Sequence, residues 1–171
     1  MKNHTALRAL FALALASRCH AALAQKAVLI VRHGEKISDS DQRLTEAGRK
    51  RAERLAKMLK DAGVDAIYST DTERTRGTVQ PLAETLRLKV TIYDTGAGMR
   101  GAVDARPFVA MLGREHAKDV VLVVGHSNTI PDLLKVLGCP GDFKIAPDEY
   151  DNLFVVVPRP GGPATLMRLR Y

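Results

Sequence analysis

Aromatic residues are scarce in this 171-residue chain: they make up 5% of it, and tryptophan is absent. Proteins that bind nucleic acids usually combine basic clusters with aromatic side chains that stack on bases. The densest basic stretch, Arg49-Lys50-Arg51, lies on a predicted helix that also carries Glu46 and Glu53, a mixture typical of a solvated helix face. We therefore predict no nucleic-acid partner, although the formal net charge is +7.

Acidic residues are missing from the first 24 residues. This segment begins with the basic residues Lys2 and Arg8, continues with the apolar stretch 9–16, and ends in Ala22-Leu23-Ala24. That order is typical of an export signal followed by its cleavage site. A membrane-spanning helix needs about 20 apolar residues, more than this stretch provides. The pattern predicts export, and no stable membrane anchor after cleavage.

Cleavage at this position would divide the chain into a signal peptide, residues 1–24, and a mature domain, residues 25–171. The mature domain would be periplasmic or secreted, and loss of three basic residues would lower its formal net charge to +4. Only Cys139 would remain of the two cysteines, which excludes an internal disulfide. Its neighbours are Gly138 and Pro140, and we predict a small buried side chain there.

Strands and helices alternate along the mature chain. Uninterrupted apolar runs at 28–31 and 120–124 predict strands buried on both faces. Further strands are predicted at 64–68, 89–93, 153–157 and 164–169, and helices at about 45–62, from Asp71 or Thr72 onward, at 104–116 and at 129–137. The last two strands flank a turn rich in Pro and Gly, which indicates a hairpin. The order predicts one α/β domain, a three-layer α/β/α sandwich whose mostly parallel sheet ends in a C-terminal antiparallel hairpin.

Three local features accompany this prediction. Pro81 falls inside the second helix and should kink or split it. The glycine-rich segment 94–101 is expected to be a mobile loop. His116 is expected on the surface at a helix end, where its cationic form would complement the helix dipole.

Cationic and imidazole side chains follow three of the predicted strands. Arg32 and His33 come after the first strand, Arg74 after the second and His126 after the fourth. The carboxyl ends of parallel strands meet at one edge of a sheet, where such folds bind ligands. Two arginines and two histidines would repel one another there unless an anion lies between them. Because arginine matches phosphate geometry and histidine can act as a nucleophile, the group predicts phosphoryl transfer.

These residues lie in four segments: Arg32-His33-Gly34, Leu44-Thr45 with Gly48, Ser69-Thr70 with Arg74-Thr75, and Val124-Gly125-His126-Ser127-Asn128. In this order and on these elements, they resemble the histidine phosphatase superfamily, also called the phosphoglycerate mutase-like family. The resemblance covers essentially the whole mature chain and indicates an exported, bacterial-type member.

The resemblance implies a role for each residue of the group. His33 would attack phosphorus and form a phosphohistidine, which water would then hydrolyse. Arg32, Arg74 and His126 would bind the phosphoryl oxygens, and Gly34 would turn the backbone beneath them, with Glu35 as a further substrate-binding residue. The reaction needs no cofactor or metal, and the mature chain has no pair of cysteines near its histidines that would suggest a metal site.

The general acid is the open point. Many relatives in this superfamily place a glutamate after the second arginine, and others place an aspartate directly after the second histidine. Here Ser127 occupies the latter position, and residues 93–105 contain no glutamate. Asp94, Asp104 and Glu35 are candidates for the acid, and a substrate with a good leaving group needs none.

Three functions compete on this evidence. The first is a phosphatase that acts on a small phosphomonoester, with segments 35–43 and 94–106 as the walls that select the substrate. The second is a phosphoglycerate-type mutase, which export and the short chain argue against. The third is a phosphate-binding or other anion-binding domain without turnover. A serine hydrolase is improbable because Thr129 replaces the second glycine that a nucleophile elbow around Ser127 requires.

Overall fold

The fold is described by a computed structural model for residues 26–95 and 104–171. The predicted signal peptide, and residues 96–101 of the predicted glycine-rich loop, lie outside the described residues. None of the helices within the two described ranges is long and apolar enough to cross a membrane.

The described ranges form one six-stranded sheet with four helices, in the order that the sequence predicts. The elements are β1 (Ala27–Arg32), α1 (Glu46–Leu59), β2 (Val64–Ser69), α2 (Glu73–Leu86), β3 (Val90–Ile92), α3 (Arg106–Glu115), β4 (Val120–Gly125), α4 (Ile130–Val136), β5 (Asn152–Val157) and β6 (Thr165–Arg170). The strand order across the sheet is β3-β2-β4-β1-β5-β6. Strands β1 to β4 pair in parallel, and β5 pairs antiparallel with both β1 and β6.

Both faces of the sheet are buried at its central strands β1 and β4, as the apolar runs predict. Val28 and Ile30 of β1 belong to a core cluster that includes Phe108 of α3 and Leu134 of α4. The intervening residues of β1 point to the other face and pack in a second cluster with the apolar residues of α1 and α2. The α/β/α sandwich with a terminal hairpin is therefore confirmed.

The register of the parallel strands brings their carboxyl ends to one edge. Arg32 of β1 pairs with Gly125 of β4, and Ser69 of β2 pairs with Val124. The backbone pairing continues one residue further, because the His33 amide donates to the Gly125 carbonyl at 3.1 Å. The residues that follow β1, β2 and β4 therefore share one edge of the sheet.

Side-chain caps fix the starts of the two helices on one face. Thr45 accepts a hydrogen bond from the Gly48 amide, and Thr72 accepts one from the Thr75 amide, so a threonine caps the start of each helix. Helix α2 runs through Pro81 as one helix, so the predicted split is wrong. A proline leaves the carbonyl four residues earlier without its helical donor; here that residue is Gly77, which faces an open groove together with Pro81.

Two surface predictions are corrected. His116 is half-buried, because the turn after α3 folds its ring back onto β2. Its Nε2 lies 2.7 Å from the Tyr68 hydroxyl and its Nδ1 lies 2.8 Å from Asp119 Oδ2. Arg51 is also half-buried, although it belongs to the basic stretch that was expected to be solvated: it binds both carboxylate oxygens of Glu35. Cys139 is buried, as predicted.

Candidate active site

The site begins where β1 ends, at His33, whose side chain is buried. Its Nδ1 lies 2.7 Å from the carbonyl oxygen of Gly34. A carbonyl only accepts hydrogen bonds, so Nδ1 carries the proton and Nε2 keeps its lone pair. Burial, together with the charges of Arg74 and Arg32, lowers the pKa of His33 to about 4, against the opposing effect of the Gly34 hydrogen bond. At neutral pH this imidazole is uncharged, and the lone pair of its Nε2 is available.

A second imidazole, that of His126, lies edge-on to the first. The two ring centroids are 5.3 Å apart. The Nη2 of Arg74 donates to Nδ1 of His126 at 3.2 Å, and because arginine cannot accept, the proton of His126 is on Nε2. Burial and then the charge of Arg74 lower the pKa of His126 to about 3. Both imidazoles are therefore neutral in the free protein.

A short chain of hydroxyl groups holds His126 in place. Its Nε2–H donates to Thr70 Oγ1 at 2.8 Å, and that hydroxyl donates to Thr75 Oγ1 at 3.1 Å. Thr75 in turn donates to the carbonyl of Thr70 at 2.7 Å. Thr75 is fully buried and Thr70 nearly so. In the sequence these threonines stand out only as part of a family motif. Their polar side chains just after a buried strand could also have indicated a role in the site.

The guanidinium of Arg32 is fixed from the C-terminal third of the chain. Its Nη1 donates to the carbonyls of Ala146, Pro147 and Glu149 at 2.9, 3.0 and 3.1 Å. The Arg32 Cζ also lies 4.1 Å from the centroid of the Tyr150 ring, a cation–π contact. Sequence reasoning missed segment 146–150, because irregular backbone carbonyls carry no sequence pattern.

Arg32 and Arg74 each hold a buried donor without a partner. The Nε of each guanidinium has no hydrogen-bond acceptor among the described residues. Burial lowers the pKa of Arg32 and of Arg74, yet a guanidinium stays protonated in proteins. Buried charged donors left unpaired are costly, and the oxygens of a bound oxyanion are acceptors that would reduce this cost.

Close backbone packing shapes the loop after His33. The Gly34 amide donates to Thr78 Oγ1 of α2 at 2.8 Å. On the other side, a Cβ placed on Gly48 of α1 would lie 2.4 Å from the Glu35 carbonyl oxygen. The loop therefore lies directly against the first turn of α1. The absence of a side chain at Gly48 allows this close approach.

These residues surround a cleft of about 380 Å³. Its lining residues are Arg32, His33, Lys36, Arg74, Thr95, His126, Ser127, Asn128 and Thr129. Three are cations and none is a carboxylate. The structure thus brings the predicted residues of β1, α2 and β4 together and adds Lys36, which the sequence analysis did not single out. A cleft of this charge attracts anions.

The three candidate acids lie elsewhere. Burial favours a raised pKa for Glu35, but hydrogen bonds from Arg51 outweigh it and keep this pKa below its ordinary value. Asp104 is half-buried and pairs with Arg106, whose hydrogen bonds lower the pKa of Asp104. Asp94 lines a separate small cavity with Tyr93. Residues 1–25 and 96–103 contain no Asp or Glu, so they supply no further carboxylate.

The described residues offer no arrangement for a metal. No group of three or more His, Cys, Asp or Glu side chains within 26–95 and 104–171 is placed to hold a metal ion. Among these residues, the polar groups of the cleft are chiefly hydrogen-bond donors, which suit an anion.

Comparison with known protein families finds a similarity in the first half of the chain. Residues 28–95, which include Arg32, His33 and Arg74, match the family model of the histidine phosphatase superfamily (branch 1). Over these residues the chain is similar to the histidine phosphatase superfamily. His126 lies beyond the matched residues, and the pairing of β4 with β1 brings it next to them. A search of curated proteins found no match.

Solved structures share the histidine phosphatase fold. The protein histidine phosphatase SixA complexed with tungstate is 20% identical, with 84% of this chain and 96% of that chain covered and a TM-score of 0.67. A phosphoserine phosphatase mutant from Entamoeba histolytica with phosphoserine is 16% identical (82% and 94% covered, TM-score 0.64). A mycobacterial glucosyl-3-phosphoglycerate phosphatase with VO3 is 18% identical (85% and 98% covered, TM-score 0.60). These identities show a shared fold.

Proposed function

We propose that this protein is a metal-independent phosphatase that hydrolyses a small phosphomonoester through a covalent phosphohistidine on His33. The observation that carries this proposal is the hydrogen bond from Nδ1 of His33 to Gly34, which leaves the Nε2 lone pair free in a cationic cleft. Phosphoryl transfer through a covalent intermediate requires a nucleophile and groups that stabilise the negative charge on the phosphoryl oxygens.

The reaction takes two displacements at phosphorus. In the first, Nε2 of His33 forms a bond to phosphorus while the bond to the leaving oxygen breaks, and that oxygen takes a proton from solvent. In the second, water attacks phosphorus, the P–N bond breaks, and the electron pair returns to Nε2 as inorganic phosphate leaves. Arg32 and Arg74 bind the phosphoryl oxygens in both steps and balance their charge. A neutral His33 is required at the start, which its lowered pKa provides.

The residues that line the cleft limit which leaving groups a substrate can have. Without a carboxylate in the cleft to protonate it, the leaving group must depart readily without help from the protein, as an aryl oxide does, or as an imidazole does once solvent has protonated its other ring nitrogen. One protein of the same fold is described as a protein histidine phosphatase, and a phosphohistidine substrate has such a ring nitrogen. We therefore expect aryl phosphates and phosphoramidates to react faster than alkyl phosphates.

Trapping the phosphoenzyme tests the proposal directly. The purified protein is mixed with an aryl phosphate labelled at phosphorus, denatured quickly without acid, and mapped by mass spectrometry. We expect an acid-labile, base-stable phosphate on His33 that is absent from His33→Ala and present in His116→Gln, a control histidine outside the cleft. Turnover that persists in His33→Ala would refute the mechanism. Phosphate binding without label or turnover would favour the anion-binding alternative.

The N-terminal pattern supports a proposal about location. We infer that the chain is exported and cleaved after Ala24, because a basic start, an apolar stretch and small residues occur in the order of a signal peptide. Expression of the full chain followed by N-terminal sequencing tests this. A mature protein that starts at Gln25 outside the cytoplasm is expected, and an intact cytoplasmic Met1 would overturn it.

A further inference from the structure

The cleft carries more positive charge than one phosphoryl group balances. Arg32, Arg74 and Lys36 contribute three cations, while the lining holds no carboxylate. Both histidines of the cleft are neutral, because burial and the arginines lower the pKa of His33 to about 4 and of His126 to about 3. A phosphomonoester dianion compensates two charges, which leaves one cation for another part of the substrate.

Lys36 is the cation best placed to bind that other part of the substrate. Arg32 is held by backbone carbonyls and Arg74 by His126. Lys36 lies on the loop after β1, where its backbone forms an antiparallel bridge with Leu44 that fixes the base of the loop. Its side chain is 23% exposed and lines the cleft. It is therefore anchored at the backbone and open at its charged end.

The partner of Lys36 in the free protein is the carboxylate of Asp39, which is not among the residues that line the cleft. Lys36 Nζ binds Asp39 Oδ1, and the Asp39 side chain is 99% exposed. The hydrogen bond to Lys36, followed by its charge and by the charge of Arg74, lowers the pKa of Asp39. The Asp39 carboxylate therefore pairs with Lys36 and also experiences the charge of Arg74. Such an exposed ion pair is weak, so an anion of the substrate can displace it.

We propose that Lys36 binds a second oxyanion of the substrate, a carboxylate or phosphate near the scissile phosphate, in the place that the Asp39 carboxylate holds in the free protein. This inference rests on the proposed phosphatase function and narrows its substrate class to phosphate esters with a second negative group. Lys36 then selects the substrate, and Asp39 acts as a counterion that the substrate replaces.

A matched pair of substrates tests the assignment. Carboxyphenyl phosphate and carbamoylphenyl phosphate, each in the meta and para forms, have similar shape and similar leaving groups but differ by one negative charge. We expect at least one carboxylated isomer to be preferred by about tenfold in kcat/KM, the scale of a charge-assisted hydrogen bond. Lys36→Met should remove most of this preference and Lys36→Arg should retain it. Lys50→Met is the control, since Lys50 pairs with Glu46 on the exposed face of α1.

Binding to the His33→Ala variant measures the same preference without turnover. Calorimetry in that background should show tighter binding of the carboxylated ligand, lost on adding Lys36→Met. Asp39→Asn should tighten binding of that ligand by about threefold, because an exposed competing ion pair is removed. Equal Kd values for both ligands, a preference that survives Lys36→Met, or weaker binding in Asp39→Asn would overturn the inference. Charge-selective binding without any turnover by the wild-type protein would instead count against the phosphatase function.

Discussion

The ring of Tyr150 covers the guanidinium of Arg32, with 4.1 Å between the ring centroid and Cζ. The same ring lies 5.8 Å from the ring of His33, centroid to centroid. Tyr150 therefore touches the edge of the site from the segment that precedes β5. Together with the carbonyls that accept from Nη1, it fixes the plane in which Arg32 presents its donors.

Replacing Tyr150 should impair catalysis by loosening Arg32. We expect Tyr150→Ala to lower kcat/KM for an aryl phosphate by about tenfold, since a partly buried cation–π contact contributes roughly 1–2 kcal/mol. Tyr150→Phe keeps the ring and should stay near the wild-type value. Steady-state kinetics together with thermal melting separate this effect from unfolding. Equal losses in the two variants would show that the hydroxyl, and not the ring, matters.

A methyl group on Gly48 should destabilise the fold and the site together. A Cβ there would lie 2.4 Å from the Glu35 carbonyl oxygen, so α1 or the loop must move, at a cost of about 1–3 kcal/mol. Gly113→Ala is the matched control, because a Cβ at this helical position meets nothing within 4 Å, and the change should stabilise the helix by up to ~1 kcal/mol. Urea unfolding measures both variants. A Gly48→Ala protein as stable as the wild type would contradict the packing described above.

Low pH should destabilise the protein through its two neutral histidines. In the unfolded chain both titrate near 6.5, whereas folding lowers the pKa of His33 to about 4 and of His126 to about 3. Between these values and pH 6.5 the unfolded chain binds more protons than the folded protein does. The free energy of unfolding therefore has its full value above pH 6.5 and decreases as the pH falls. For His126 the loss between pH 7 and 4.5 should be roughly 2 kcal/mol.

Urea unfolding of the wild type and of His126→Asn at several pH values measures this effect. The variant should depend less on pH over that range, because the titrating group is gone. The same protonation should lower kcat/KM as the pH falls through about 4, where His33 becomes charged. An identical pH dependence of stability in both proteins would show that His126 is not neutralised by folding.

Turnover should depend steeply on the leaving group. With no carboxylate among the residues that line the described cleft, the leaving oxygen receives no proton from the protein, so kcat should fall strongly across a series of phenyl phosphates of rising phenol pKa. Asp104→Asn should leave this slope unchanged, since Asp104 pairs with Arg106 in solvent. A shallow slope that becomes steep in Asp104→Asn would identify Asp104 as the acid after all.

The sequence predicted the centre of this site because uninterrupted apolar runs end at its key residues. The run before Arg32 and the run before His126 identify buried parallel strands, and strand topology then brings their ends to one edge of the sheet. Thr70 was within reach of the same reasoning, since it follows the end of β2. Lys36 was missed because it lies in a polar loop.

Contacts between distant segments could not be predicted from pattern. The carbonyl oxygens that accept from Arg32 are 114 to 117 residues away in irregular backbone. Arg51 was assigned to a solvated face because its neighbours on α1 are charged, yet it reaches Glu35 across the packed start of the helix. This ion pair removes Glu35 from the candidate acids, which only the tertiary structure could reveal.

The position of β1 has a consequence for the order in which the protein forms during synthesis. The first described strand is flanked by β4 and β5, which are translated about ninety or more residues later, so it has no strand partner while α1, β2 and α2 are being made. Arg32 also gains its carbonyl partners only after Glu149 has been added. Pairing across such sequence separations is slow. The nascent chain should therefore remain unable to bind phosphate until nearly all of it has left the ribosome.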